Sequence, residues 1–179
     1  MASSLERLEK QYAVEIHWRS FELRPAGAPP LSPQYRARIE ASRPLLQKRA
    51  REEYGLEINA GPLGITSRPA LIAQKYAEAE GKGAAFHRAV MEAYWQHARS
   101  IDDPQVLKEI AEQVGLRTED FEAALVHPAF DAEVAAEIKM AQEYGIDAVP
   151  ALVFAEQYLV VGAQPYPVLQ QVVEKLQAE

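Results

Sequence analysis

The sequence contains no cysteine. That absence excludes disulfides, thiolate nucleophiles, cysteine-ligated zinc and cysteinyl iron–sulfur clusters for this chain. Long apolar runs are missing too. The apolar run that includes Ala148 to Phe154 falls far short of the roughly 20 helical residues that span a bilayer. The first residues, MASSLERLEKQYA, have neither the basic start nor the apolar stretch of a secretory signal. Positive charge is in deficit: 19 Lys and Arg stand against 26 Asp and Glu, for a net charge of −7. A phosphate backbone repels such a chain, which argues against nucleic-acid binding. No internal repeat and no low-complexity tract is present.

What remains is 179 residues, 48% of them hydrophobic and 25% charged, an ordinary composition for one globular domain or one domain with a large insertion. Residues 2–12 predict a helix with Leu5 and Leu8 on one side. In VEIHWRSFEL, 14–23, Val14, Ile16 and Trp18 alternate with Glu15, His17 and Arg19, which predicts a half-buried strand. A proline-rich loop leads to Ser32-Pro33, a helix start. That helix is expected to reach about Tyr54, with a break or kink at Pro44 and a stop at Gly55. Further helices are expected from a Ser67 cap to Gly81, over 84–98, from Asp103-Pro104 to Gly115, from Thr118, and over 131–144. The pattern then changes. GIDAVPALVF turns into a short apolar strand, AEQ is a tight connection, YLVVG is a second strand, and a helix follows over 167–177. Two strands so closely joined form an antiparallel hairpin.

The segments VEIHWRSFELRP (14–25), AYW (93–95), GIDAVPALVF (145–154) and YLVVGAQPYPVL (158–169), with the helical block between them, resemble the DsbA-like thioredoxin-fold family. The resemblance is to its FrnE-like oxidoreductase branch in particular, and it covers nearly the whole chain. It implies an α/β, thioredoxin-like fold with a large all-helical insertion. Residues 1–179 would form a single domain, with the insertion at 32–145 and a ββα half at 148–179. In that family Pro150, after Val149, would be a cis-proline. Ala148, Val149 and Pro150 would then present backbone to an extended peptide or disulfide-containing protein, in the manner of strand addition.

The activity implied is cytoplasmic thiol–disulfide oxidoreduction without a separate cofactor. Family members carry a first strand and a C-P-x-C or S-P-x-S motif ahead of the first helix, and this sequence aligns as starting just after them. On that reading the first core strand and the redox pair are missing, and the chain as given is inactive. The exposed strand edges would then invite a partner, including a second copy of the chain. Two alternatives stay open. One is a glutathione-dependent isomerase or transferase of the 2-hydroxychromene-2-carboxylate isomerase or kappa class. The other is a non-catalytic peptide-binding homologue.

No residue of the chain itself is assigned a catalytic role. Ser3 and Ser4 read as capping or first-turn serines. Gly162, Ala163 and Gln164 either form the tight turn before the last helix or receive a glutathione carboxylate near that helix start. His17, His87, His97 and His127 show no metal-ligand spacing, so no metal site is expected. Lys48, Arg49 and Arg51, answered by Glu52 and Glu53, read as a solvated helix face. Phe86, Tyr94 and Trp95 read as core of the helical block.

Overall fold

The structure, a computed structural model, describes residues 2–25 and 27–178, the side chains of residues 2 and 3 excepted. The elements are α1 (Ala2–Gln11), α2 (Pro33–Tyr54), α3 (Arg68–Ala79), α4 (Gly83–Trp95), α5 (Pro104–Gln113), α6 (Phe121–Leu125), α7 (Pro128–Glu143), β1 (Ala151–Phe154), β2 (Tyr158–Val161) and α8 (Tyr166–Ala178). Ser4 falls in the first turn of α1; the role expected of the Ser3 side chain lies outside the described residues. The class is α/β, mostly helical with a small sheet. Two compact units emerge: Met1–Phe21 with Glu137–Glu179, and Glu22–Ala136.

The second unit is helical. Helix α3 runs through its middle, buried at Ala70 and at every position from Ile72 to Ala77. Small side chains at 70, 73 and 77 let its neighbours approach closely. Phe86, Leu107 and Phe121 are wholly buried, and the Tyr76 ring meets Phe121 edge-on at 6.1 Å, a favoured aromatic geometry. Two polar residues of α3 share this interior and are answered within it. Gln74 Nε2 donates to Glu78 Oε1 at 2.9 Å and to the Gly83 carbonyl at 3.1 Å, while Lys75 Nζ pairs with Glu78 at 2.8 Å. Gly83 makes room for this arrangement, since a Cβ there would lie 2.6 Å from Glu78 Cγ and would force that side chain to shift.

Helix α2 begins as expected: the Ser32 hydroxyl accepts from the Tyr35 N–H at 3.2 Å. It ends at Gly55 in the left-handed region (φ 65°), which glycine adopts without a Cβ penalty. Pro44 does not end it. The carbonyl deprived of a donor by the proline belongs to Glu40, on an exposed stretch where water can serve instead.

One helix cap is made differently from the expectation and three helix boundaries shift, each for a local reason. Ser67 precedes α3 without making a side-chain cap bond; the Thr66 hydroxyl accepts from the Arg68 N–H instead, at 3.2 Å. Helix α4 stops at Trp95 rather than 98, because Ala98 turns to φ 54° and donates to the Asn59 carbonyl at 2.9 Å. Helix α6 waits until Phe121, whose N–H closes a turn onto the Thr118 carbonyl at 3.3 Å. Helix α7 starts early, at Pro128, where His127 Nδ1 accepts from the Ala129 N–H at 3.2 Å.

In the first unit α1 and α8 pack Leu5 and Leu8 against Leu169 and Val173. The hairpin pairs Ala151 with Val161, Leu152 with Val160, Val153 with Leu159 and Phe154 with Tyr158. Leu152, Phe154 and Val160 reach the α1–α8 cluster; the alternate residues face the other way. The connection places Ala155 and Glu156 at φ 48° and 58°, a reversal usually given to Asn-Gly.

The strand expected over 14–23 is corrected. Val14 and Ile16 turn inward onto the same cluster, and Glu15 and His17 are exposed, so the alternation is physical. The segment nevertheless joins no ladder: among the described residues the sheet is two-stranded, β1 with β2. A period of two specifies an extended chain with one buried side. It does not specify the neighbour at about 4.8 Å that makes a strand. The Ser20 N–H goes instead to the Glu137 carboxylate, at 2.7 Å.

Candidate functional site

The sequence singles out two short segments, 148–150 and 162–164, and the hairpin brings them together. The Pro150 carbonyl accepts from the Gly162 N–H at 2.8 Å, one step beyond the paired residues 151 and 161. Val149–Pro150 is a cis peptide bond. Gly162 sits at φ 82°, and a Cβ added to it would meet nothing nearer than Gln164 Nε2 at 3.7 Å, so conformation rather than space requires glycine there. The Gln164 side chain folds back to donate to the Val161 carbonyl at 2.9 Å. Ala148, Val149, Pro150 and Ala163 are exposed.

The bond between Pro150 and Gly162 fixes the phase of the ladder. In an antiparallel pair, hydrogen-bonded and non-hydrogen-bonded positions alternate. With 150 and 162 hydrogen-bonded, Leu152 and Phe154 point their main-chain groups at β2. The N–H and C=O of Ala151 and Val153 therefore point along the outer edge of β1. The outward side chains add an apolar face: Val149, Val153, Leu159 and Val161 are each between 38% and 50% exposed. An outer edge whose two donors and two acceptors have no partner among the described residues, next to an exposed apolar face, has the chemistry that receives an extended chain.

Sequence reasoning does not single out a buried carboxylate in the same unit, Glu137. Besides the Ser20 N–H it accepts from Arg19 Nη1 at 2.9 Å, and this pair anchors the end of the extended segment. A signal for it exists, since Phe130, Val134, Glu137 and Ala141 form one helical stripe, and a charge within an apolar stripe asks for a partner. In the helical unit a second carboxylate, Glu22, is held by Arg68 Nη1 at 3.3 Å, while Arg68 also binds Asp131. On α8, Glu174 accepts from the Tyr12 hydroxyl at 2.6 Å. That bond holds the phenol above its usual range and the carboxyl below its own.

The other candidates have ordinary surroundings. His17 and His97 face Glu15 and Glu92, and burial pushes the half-buried His87 below the usual imidazole range. Among the described residues no three His, Asp or Glu side chains gather as a metal site. Arg49 and Lys48 pair with Glu53 and Glu52 along α2, and Arg51 with Glu57. Phe86 is core, whereas Trp95 is partly exposed with its ring against Tyr94 at 5.1 Å. Among the described residues no helix is long and apolar enough to cross a membrane.

Known proteins share this fold. Residues 1–174 match the DSBA-like thioredoxin domain family. The protein YwbO of Bacillus subtilis (strain 168) is 30% identical over 164 residues, which are 86% of this chain and 78% of that protein. A crystal structure of a probable DsbA oxidoreductase, SCO1869 of Streptomyces coelicolor, superposes with a TM-score of 0.85 at 27% identity, over 99% of this chain and 83% of that one. A 2-hydroxychromene-2-carboxylate isomerase shares the fold, with a TM-score of 0.75 at 22% identity over 97% of this chain and 85% of that one.

Proposed function

This chain belongs to the DsbA-like thioredoxin-domain family, and we propose that within it the chain acts as a binder of extended polypeptide, with β1 as the receiving edge, and performs no thiol–disulfide exchange of its own. The absence of exchange rests on chemistry: exchange needs a thiolate that attacks sulfur, and there is no cysteine. The binding role rests on one observation, the outward N–H and C=O groups of Ala151 and Val153 beside the exposed Val149, Val153, Leu159 and Val161. The peptide that fits is extended, apolar at alternate positions, and pairs through its main chain. It matches the substrate class of a disulfide oxidoreductase of the FrnE-like branch, whose polypeptide-binding half this chain would supply. In this reading Ala148 to Pro150 border the bound peptide, and residues 162–164 close the end of the hairpin.

The test is binding of a fluorescent extended apolar peptide to the full chain. Val153→Pro removes an outward N–H without touching the β1–β2 bonds, a place where an edge strand tolerates proline. It is expected to weaken binding at least tenfold, and Leu159→Asp is expected to do the same through the apolar face. Unchanged affinity in both folded variants would overturn the site. An insulin-reduction assay is expected to read background. A glutathione titration that releases heat at millimolar ligand would favour the glutathione-dependent class instead.

A further inference from the structure

Helix α2 differs from the other long helices of the chain. Of its 22 residues only Ala50 is buried, and large apolar side chains stand in solvent: Leu45 at 71% exposure, with Leu46, Tyr35 and Tyr54 also exposed. A helix exposed all round is sustained by its own i,i+4 pairs or by a partner. Among the described residues the pairs are confined to the C-terminal half, where Lys48 meets Glu52 and Arg49 meets Glu53. In the N-terminal half Arg36, Arg38 and Arg43 make no ion pair among the described residues; Arg38 lies over the Tyr35 ring at 5.6 Å.

Charge narrows the choice of partner. Helix α2 holds six cationic side chains and three anionic ones, a net charge of +3. The chain as a whole carries −7, so everything outside α2 amounts to −10. Residues 104–136 alone hold seven acids against Lys108 and Arg117. They belong to one packed body: Lys108 of α5 bridges to Glu122 of α6, and Phe130 of α7 packs on the core that Leu107 and Phe121 share. Four of the acids are engaged by Arg99, Lys108, Arg117 or Arg68. Glu112, Glu119 and Glu133 are exposed and make no ion pair among the described residues.

We propose that α2 is an interface helix for a second copy of this chain, laid on the acidic surface that residues 104–136 of that copy provide. A polyanion such as nucleic acid or an anionic membrane would meet the −7 of the chain along with the helix. A second copy meets the helix with complementary charge. The dimensions agree. A 22-residue helix is about 33 Å long and roughly 10–12 Å across. In an isologous pair each copy gives its helix and receives its partner's, so each contributes two such footprints, about 700–800 Å². A standard stable interface uses roughly 800 Å² per partner. Leu45 and Leu46 supply the apolar centre, and the exposed Arg36 and Arg38 the charged rim.

Sedimentation equilibrium of the full chain tests this. The expected result at low salt is a mass of twice 20.0 kDa, with association weakened at least tenfold by Arg36→Glu with Arg38→Glu, and likewise by Leu45→Glu with Leu46→Glu. All four positions are exposed, and unchanged circular dichroism checks that the variants fold. Glu112→Lys with Glu133→Lys is expected to restore part of the dimer in the Arg36→Glu, Arg38→Glu background. A 20.0 kDa mass up to the highest soluble concentration, or a dimer indifferent to both pairs of substitutions, would overturn the proposal. So would α2-dependent binding of the monomer to anionic vesicles or to DNA.

Discussion

The helical unit and the hairpin unit place their apolar residues differently. In residues 22–136, α3 is covered on nearly every side, and even its polar positions Gln74 and Lys75 lie inside with partners. In the hairpin unit the two strands have one covered face and one open face. Leu152, Phe154 and Val160 touch the α1–α8 cluster, whereas Val153, Leu159 and Val161 are exposed. A sheet hydrophobic on both faces is stable in water only when layers lie on both. An apolar side chain therefore reports burial on α3 and availability on the outer face of the hairpin.

Truncating one residue of each kind strains this contrast hardest. Phe121 is wholly buried in the helical unit, so Phe121→Ala is expected to cost about 3–5 kcal/mol from lost burial and a residual cavity. Val153→Ala should cost less than about 0.5 kcal/mol, the range of an ordinary surface change. Urea unfolding midpoints compare the two directly. A Val153→Ala cost above about 1.5 kcal/mol would show a covered strand face and end the distinction between the units.

Next in size is the buried carboxylate. Removing Glu137 leaves the Ser20 N–H, itself buried, without its acceptor, while the more exposed Arg19 side chain stays solvated. Glu137→Ala is expected to destabilise by about 1–3 kcal/mol, the cost of an unsatisfied buried donor. Glu137→Gln keeps one acceptor and should cost less. Amide hydrogen exchange at Ser20 provides the specific readout: it should accelerate in the alanine variant and much less in the glutamine one. Equal exchange in both would mean that the carboxylate does not hold this end of the extended segment.

The legibility of the fold follows the same division. Helices are legible where a cap or a glycine stop is written, as at Ser32-Pro33, Asp103-Pro104 and Gly145. The hairpin is legible from two apolar runs separated by AEQ, although its turn uses Ala155 and Glu156 at positive φ where Asn and Gly would be the usual signal. The 14–23 segment is half legible. Its alternation gives the buried side, Val14 and Ile16, but pairing depends on neighbours that a local pattern does not encode. The candidate site divides likewise. Segments 148–150 and 162–164 rest on a resemblance, and their adjacency through the Pro150 carbonyl and the Gly162 N–H needs the hairpin register. Glu137 lies in plain view on an apolar stripe, but its partners, Arg19 and Ser20, are more than a hundred residues away, beyond the reach of any periodicity.

The weakest effect concerns pH and the helical unit. Burial holds His87 below its ordinary value of 6.5, with the Glu78 carboxylate opposing the shift. The folded chain therefore binds fewer protons at this site than the unfolded one just below pH 6.5, and stability rises with pH across that window. The contribution is fully present above about 6.5 and is lost as pH falls through the lower, folded value. The same acidification begins to affect Glu109 and Glu122 only further down, because Arg99 and Lys108 hold those carboxyls below their usual range. His87→Gln separates the two. Between about pH 7 and pH 5.5 the parent chain should lose unfolding free energy and the variant should lose less. Parallel profiles would mean that the imidazole is as well solvated in the folded chain as in the unfolded one, and that the helical unit does not exclude water at this position.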